Sequence, residues 1–227
     1  MQSIIPGVYT FDGLIVGRVY LIEDPDGLTL IDAGIAPSAN KIKTQIEAHG
    51  RTLNDVKRIL ITHAHPDHVG ALPKLKAWTR AQIVASELET PVIQGEIAVP
   101  RAEGAIRPPQ TRYKPGVKVD RIVRDGDMIA EVLGGLQVVF TPGHAPGHIA
   151  FWSPSRRILF GGDVIMPRFG KMQLPYRALT VDPVANLRSV AALTAFDAQT
   201  ACFGHGVPIA ADAATAIRGF ARRVGAV

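Results

Sequence analysis

What most restricts this chain is one order of elements written twice. From residue 7 to 34 the segments VYTFDG, GRVYLIED and LTLIDAG read as three short strands, rich in β-branched and aromatic residues, with Pro25-Asp26-Gly27 as a hairpin turn. Ile42, Ile46 and His49 then fall at i, i+4 and i+7 with Gly50 behind them as a C-cap, which predicts an amphipathic helix over 38–49. VKRILIT (56–62) reads as a buried strand, HPDHVGALPKLKAW as a turn into a helix, and AQIVAS (81–86) as another strand. Downstream, DRIVRDGDMI, LQVVFTPG, HIAFWSP and RRILFGGD are strands. Asp182-Pro183 marks an N-cap and first helical position for a helix over 183–196, ACFGHG is a last strand, and Ala213, Ile217, Phe220 and Val224 space out a C-terminal helix. The repetition implies two similar halves, each a sheet with helices on one face, packed sheet to sheet.

At 227 residues a layered α/β fold can remain one unit, so a single domain over 1–227 is expected. An apolar share of 47% with 20% charged residues argues against disorder, collagen or a coiled coil. The chain contains no run of eighteen apolar residues, and MQSIIPGVYT lacks a basic n-region and an apolar h-region, so a cytoplasmic protein without a membrane partner is expected. The single Cys202 rules out an internal disulfide framework and a thiolate-only metal cage. A net charge of +5 permits an anionic partner without requiring one. Residues 97–118 break the pattern as a proline-rich loop carrying Arg101, Arg107, Arg112, Lys114 and Lys118 against Glu103.

The histidines carry the chemistry: six of the seven stand in three clusters, His63, His65 and His68, then His144 and His148, then His205. In THAHPDH, His63 and His65 lie two apart behind an apolar strand, so in extended backbone both rings project to one side and can share an ion. Pro66 restricts His65 to extended geometry, after which Asp67 and His68 turn back at the start of a helix and can hold a second ion. Two ions need more than these four ligands, and the candidates are His144, Asp163 and His205 at the ends of later strands. Imidazole and carboxylate without thiolate suit Zn, with Fe or Mn as alternatives.

In their order, LTLIDAG, THAHPDHVGA, TPGHAPGHIAFW, LFGGD and CFGHG resemble the metallo-β-lactamase-fold hydrolase superfamily over roughly residues 7–210. The resemblance implies an α/β fold, a four-layer αβ/βα sandwich of two mixed β-sheets with helices on the outer faces and the site at the sheet edge. It implies that His63, His65 and His144 bind one metal, that Asp67, His68 and His205 bind the other, and that Asp163 bridges them. Two such ions, ~3.5–4 Å apart, lower the pKa of a shared water toward ~7, and Asp67 can accept a proton as the catalytic carboxylate. Asp32 resembles the superfamily's outer aspartate that fixes the tautomer of a ligand imidazole. His148 either packs or touches substrate, and Met166, Arg168 and Phe169 in the Gly- and Pro-broken segment 165–177 are candidate substrate contacts, with Met172 and Leu174 as further apolar lining.

Glyoxalase II-like thioesterases share these motifs but carry an additional C-terminal helical region, whereas only 22 residues follow His205. Lactonases of the superfamily often place a tyrosine a few residues beyond the bridging aspartate; here Val164, Ile165 and Met166 follow Asp163, and the nearest downstream is Tyr176. The expected function is a dinuclear metal-dependent hydrolase of a small ester, lactone or thioester, nearest the lactonase and glyoxalase II-like branches. The alternatives are a glyoxalase II-like thioesterase, a mononuclear iron oxidoreductase of the persulfide dioxygenase type, and a non-catalytic metal-binding domain. A small-molecule substrate and no nucleic-acid partner are expected, with a homodimer left open.

Overall fold

The chain opens as an antiparallel meander of β1 (Gln2–Ile5), β2 (Val8–Thr10), β3 (Tyr20–Asp24) and β4 (Gly27–Ile31). There follow α1 (Ser38–Ala48), β5 (Val56–Leu60), α2 (Pro66–Val69), α3 (Leu72–Thr79), β6 (Gln82–Ser86), α4 (Thr90–Ile93) and β7 (Arg121–Val123). These seven strands form one sheet in sequence order, parallel from β4 onward. The second half runs β8 (Met128–Ile129), β9 (Leu136–Phe140), β10 (Ile149–Ser153), β11 (Ile158–Gly162), α5 (Pro183–Leu193), β12 (Thr200–Phe203) and α6 (Ala213–Arg223). Its five strands lie in the order β12-β11-β10-β9-β8, parallel only at β11–β12. This computed structural model describes residues 1–101 and 115–227, so Arg107, Arg112 and Lys114 of the basic loop lie outside the described residues.

The inner strands are largely buried on both faces, and the period of two decides which core each residue enters. On β3, Leu21 faces the helices α1 and α3 while Tyr20 and Ile22 face the opposite sheet. On β10, Ile149 and Phe151 face the first sheet while Ala150 and Trp152 face α5 and α6. Three cores result, one between the sheets and one under each helical layer, which makes the four-layer αβ/βα sandwich. Full burial of each Leu, Ile or Phe contributes about 1.5–3 kcal/mol.

Four details depart from the sequence reading. Residues 2–5 add an edge strand. The helix expected after HPDH is two pieces, α2 and α3, because Pro73 at the start of α3 has no N–H to give and its ring excludes the preceding helical carbonyl. DRIVRDGDMI divides between the sheets, β7 joining the first and β8 the second across a turn in which Arg124 N–H is held by Asp127 (2.8 Å). α5 ends at Leu193, since Thr194, Ala195 and Phe196 donate to carbonyls three residues back and tighten the last turn. No described helix is long and apolar enough to cross a membrane.

Candidate metal centre

The candidate residues sit where strands of both sheets end at one edge of the sandwich. His63 and His65 follow β5, Asp67 and His68 open α2, His144 lies in the β9–β10 connection, Asp163 follows β11 and His205 follows β12. β5 runs parallel to β4, which brings Asp32, just past β4, level with Thr62; the Thr62 backbone N–H donates to Asp32 Oδ1 at 2.8 Å. The approach of β12 to β11 is close: a Cβ on Gly204 would lie 2.0 Å from Asp163 Oδ1 and 2.7 Å from the His68 ring. Only glycine fits there.

Hydrogen bonds at the outer nitrogens orient three of the rings. His68 Nδ1–H donates to Asp32 Oδ2 (2.8 Å), His63 Nδ1–H to the Thr62 hydroxyl (3.1 Å) and His144 Nδ1–H to the Thr180 hydroxyl (3.4 Å). Each Nε2 is turned inward, and in the neutral ring it is an acceptor. There His63 Nε2 stands 3.1 Å from His65 Nδ1, and His144 Nε2 3.5 Å from Asp163 Oδ2. His205 Nε2 is 3.2 Å from carboxylate oxygens of both Asp67 and Asp163, and His68 Nε2 is 3.6 Å from Asp163 Oδ1. The ligand atoms of His63, His65 and His144 converge within 4.8 Å of one another, as do those of Asp67, His68 and His205, and Asp163 joins His63 and His68 in a third group.

The electrostatics of the protein groups divide the rings. Burial lowers the pKa of His65 to about 4 and pushes His63 and His144 well below the ordinary histidine value, with neighbouring imidazoles adding to the effect. Burial opposes charge on His205 and His68 too, but the carboxylates of Asp163 and Asp67 outweigh it at His205, raising it to about 9, and those of Asp163, Asp32 and Asp67 raise His68 well above its ordinary value. For Asp67, burial favours the neutral acid, yet His68 and His205 hold it at about 2; Asp163 is lowered well below the carboxylate range by the same pair. His68 Nε2, His144 Nε2 and Asp163 Oδ1 are buried without a hydrogen-bond partner among the described residues. Orphaned polar atoms of this kind cost about 1–3 kcal/mol each, and a divalent cation satisfies them together. The donor set of imidazole nitrogen and carboxylate oxygen therefore fits such an ion.

The family model of the metallo-β-lactamase superfamily matches residues 12–205. The chain belongs to the metallo-β-lactamase superfamily. It is 25% identical to a probable metallo-hydrolase of Bacillus subtilis over 86% of this chain and 82% of that protein. It is 35% identical to the hydroxyacylglutathione hydrolase of Rhodopseudomonas palustris over 64% of this chain, a match that spans 47% of the relative's length. Among solved structures, BJP-1, a subclass B3 metallo-β-lactamase of Bradyrhizobium japonicum, superposes with a TM-score of 0.73 at 27% identity, covering 98% of this chain and 89% of that one.

Several residues of this superfamily site sit elsewhere than the sequence suggests, or act without being visible in it. His148 is fully buried, its Nδ1–H donates to the Thr141 hydroxyl (2.8 Å), and its Nε2 accepts the backbone N–H of Asp163 (2.9 Å), which is the packing alternative. Arg168, expected in a pocket wall, folds back on its own loop, with its guanidinium 3.9 Å from the Tyr176 ring and donating to Gln173 Oε1 (2.7 Å). Phe169 projects 97% exposed from the tip of the turn joining Arg168 and Lys171. Met166 is buried, while Met172 and Leu174 pack on the core beneath α5 and α6. Glu89, unassigned in the sequence, is buried and accepts the backbone N–H of Ala64 (2.8 Å) and of Gly147 (2.7 Å). Burial raises its pKa and those two bonds oppose the rise. Glu89 thereby ties the His63–His65 segment to the His144 turn. No local spacing announces it, nor Thr62, Thr141 and Thr180.

Proposed function

We propose that the chain is a metal-dependent hydrolase of small esters, lactones or thioesters that works with two divalent ions, zinc being favoured by the donor set. The observation that carries this reading is the convergence of two ligand triads on one buried carboxylate. His63, His65 and His144 would hold one ion, Asp67, His68 and His205 the other, and Asp163, whose oxygens face His144, His68 and His205, would span both. When bound, such ions polarise a scissile carbonyl and lower the pKa of a water between them toward ~7. The chain's own groups do the rest. Asp32 and the threonine hydroxyls fix the ring tautomers, and Glu89 sets the spacing of the first triad. The Asp67 and His205 side chains are 25% and 19% exposed and His65 is partly buried, while His63, His68 and His144 are buried, so substrate would approach over Asp67, His205 and His65. Asp67, ionised and at the open side, can accept the proton released as water attacks.

The likeness to a hydroxyacylglutathione hydrolase keeps thioesters among the substrates. A cytoplasmic setting and a small-molecule substrate, without a nucleic-acid partner, belong to the same proposal. The test is metal analysis of purified protein together with a panel of lactones, thioesters and esters. About two ions per chain and hydrolysis that is lost on chelation and restored by metal are expected. A single iron with oxygen uptake and no hydrolysis would replace this reading by the oxidoreductase one, and bound metal without turnover of any ester by the binding-domain one.

A further inference from the structure

The geometry points to Arg18 as a specificity residue that binds an anionic group, a carboxylate or phosphate, on the substrate, at the His205 side of the centre. The inference rests on the site being a small-molecule hydrolase site. It starts from the way Arg18 brackets His205. Its backbone N–H donates to Gly204 O at 2.7 Å, its Nε–H donates to Gly206 O, and one Nη1 hydrogen reaches the Thr10 hydroxyl at 3.3 Å. The guanidinium is thus pinned beside the ligand-bearing turn by its Nε edge. A guanidinium has five N–H groups, and the remaining Nη hydrogens have no acceptor among the described residues. No described carboxylate lies within ion-pair distance of Arg18, in contrast to Arg58, whose guanidinium is forked onto Asp26.

Arg18 lines a cavity of about 300 Å³ together with Phe11, Leu14, Val16 and His205. Asp12 shares that lining, but its carboxylate is engaged by the amino group of Met1 at 2.8 Å and does not neutralise the arginine. The loop ahead of Arg18 is held against the other side of the centre: a Cβ on Gly17 would lie 2.3 Å from the Asp67 carbonyl oxygen. The cavity is therefore bordered by His205 on one side and by the loop that rests on the Asp67 backbone on the other. An unpaired, partly desolvated guanidinium with one edge fixed offers its free edge to a planar anion, and hydrogen bonds between two charged groups are about twice as strong as neutral ones. Arg168, folded onto Tyr176 and Gln173, has no comparable free edge at the site.

The test is a calorimetric titration of zinc-loaded protein with glutarate and with glutaramate, its monoamide. Any carboxylate contact to metal is common to both ligands, so their difference isolates the second negative charge. Wild-type protein is expected to prefer glutarate by at least about tenfold, and Arg18→Gln to reduce that preference to about threefold or less. Arg18→Lys keeps the charge but loses the forked edge and the bond to Gly206, and should show a preference between those of wild type and Arg18→Gln. The proposal is overturned if wild type shows no preference, if Arg18→Gln keeps it, or if Arg18→Lys behaves like Arg18→Gln, which would make Arg18 a strut of the His205 turn. Because binding is read directly, a protein that hydrolyses nothing on the panel would defeat the hydrolase reading while this comparison still decides the role of Arg18.

Discussion

At the scale of single residues, the centre depends on groups that never meet a metal. A carboxylate can accept from two backbone N–H groups at once, and Glu89 does so across the two loops that bring His63, His65 and His144 together. Glu89→Gln would turn its amide nitrogen toward one of those donors. A fall of about 10–100-fold in metal affinity is expected, read by chelator competition, as for other groups that orient ligands. Unchanged affinity would show that Glu89 only fills space. Gly204→Ala should be harsher, because the new methyl group meets Asp163 and the His68 ring and one of them must move. That His63, His65, Asp67, His68, His144, Asp163 and His205 come together was legible in the sequence because they stand at short local spacings and strand ends. Glu89 was not, since its partners lie 25 and 58 residues away. Arg168 was read as a pocket residue because sequence shows its charge but not the ring it stacks on.

At the scale of elements, α5 is the support of the His144 turn. Val181 N–H donates to His144 O (3.2 Å), Asp182 N–H to Gly143 O (2.9 Å) and the Ser189 hydroxyl to Pro142 O (2.7 Å). The cap that starts α5, Asp182 accepting from Ala185 N–H at 2.9 Å with Pro183 at the first position, was visible in the sequence because capping chemistry is local. Asp182→Ala should cost about 1 kcal/mol, a fall in Tm of roughly 2–4 °C for a chain of this size, with the turn's backbone bonds and hence kcat largely kept. A matching loss of metal would mean that the cap itself positions His144. The division of α2 from α3, and of β7 from β8, escaped the sequence reading for a different reason. Pro73 and the polar turn Arg124-Asp125-Gly126-Asp127 are local signals, but a reading that follows apolar stretches runs past them.

At the scale of the whole molecule, the metal centre is also a reservoir of opposing protonation preferences, so stability in the absence of metal should depend on pH in both directions. Burial holds His65 and His148 neutral, with pKa values of about 4 and about 3. An unfolded chain would take up protons on them below the ordinary histidine value of ~6.5, so their contribution is complete above that pH and is lost as pH falls toward 4. His205 runs the other way. Asp163 and Asp67 overcome its burial and raise it to about 9, so what it contributes is complete below ~6.5 and is lost as pH rises through 9. Asp67, held at about 2, adds stability that disappears only in strong acid. Metal-free protein should therefore show its highest Tm near pH 6.5, falling toward both pH 4.5 and pH 9. Bound metal requires neutral imidazoles, so in the loaded protein the alkaline fall should vanish while the acid fall steepens as protons compete with the ions. Thermal melts of both forms across that range decide it. A metal-free Tm that stays level from pH 7 to 9 would show that His205 does not carry the proton its carboxylate neighbours call for.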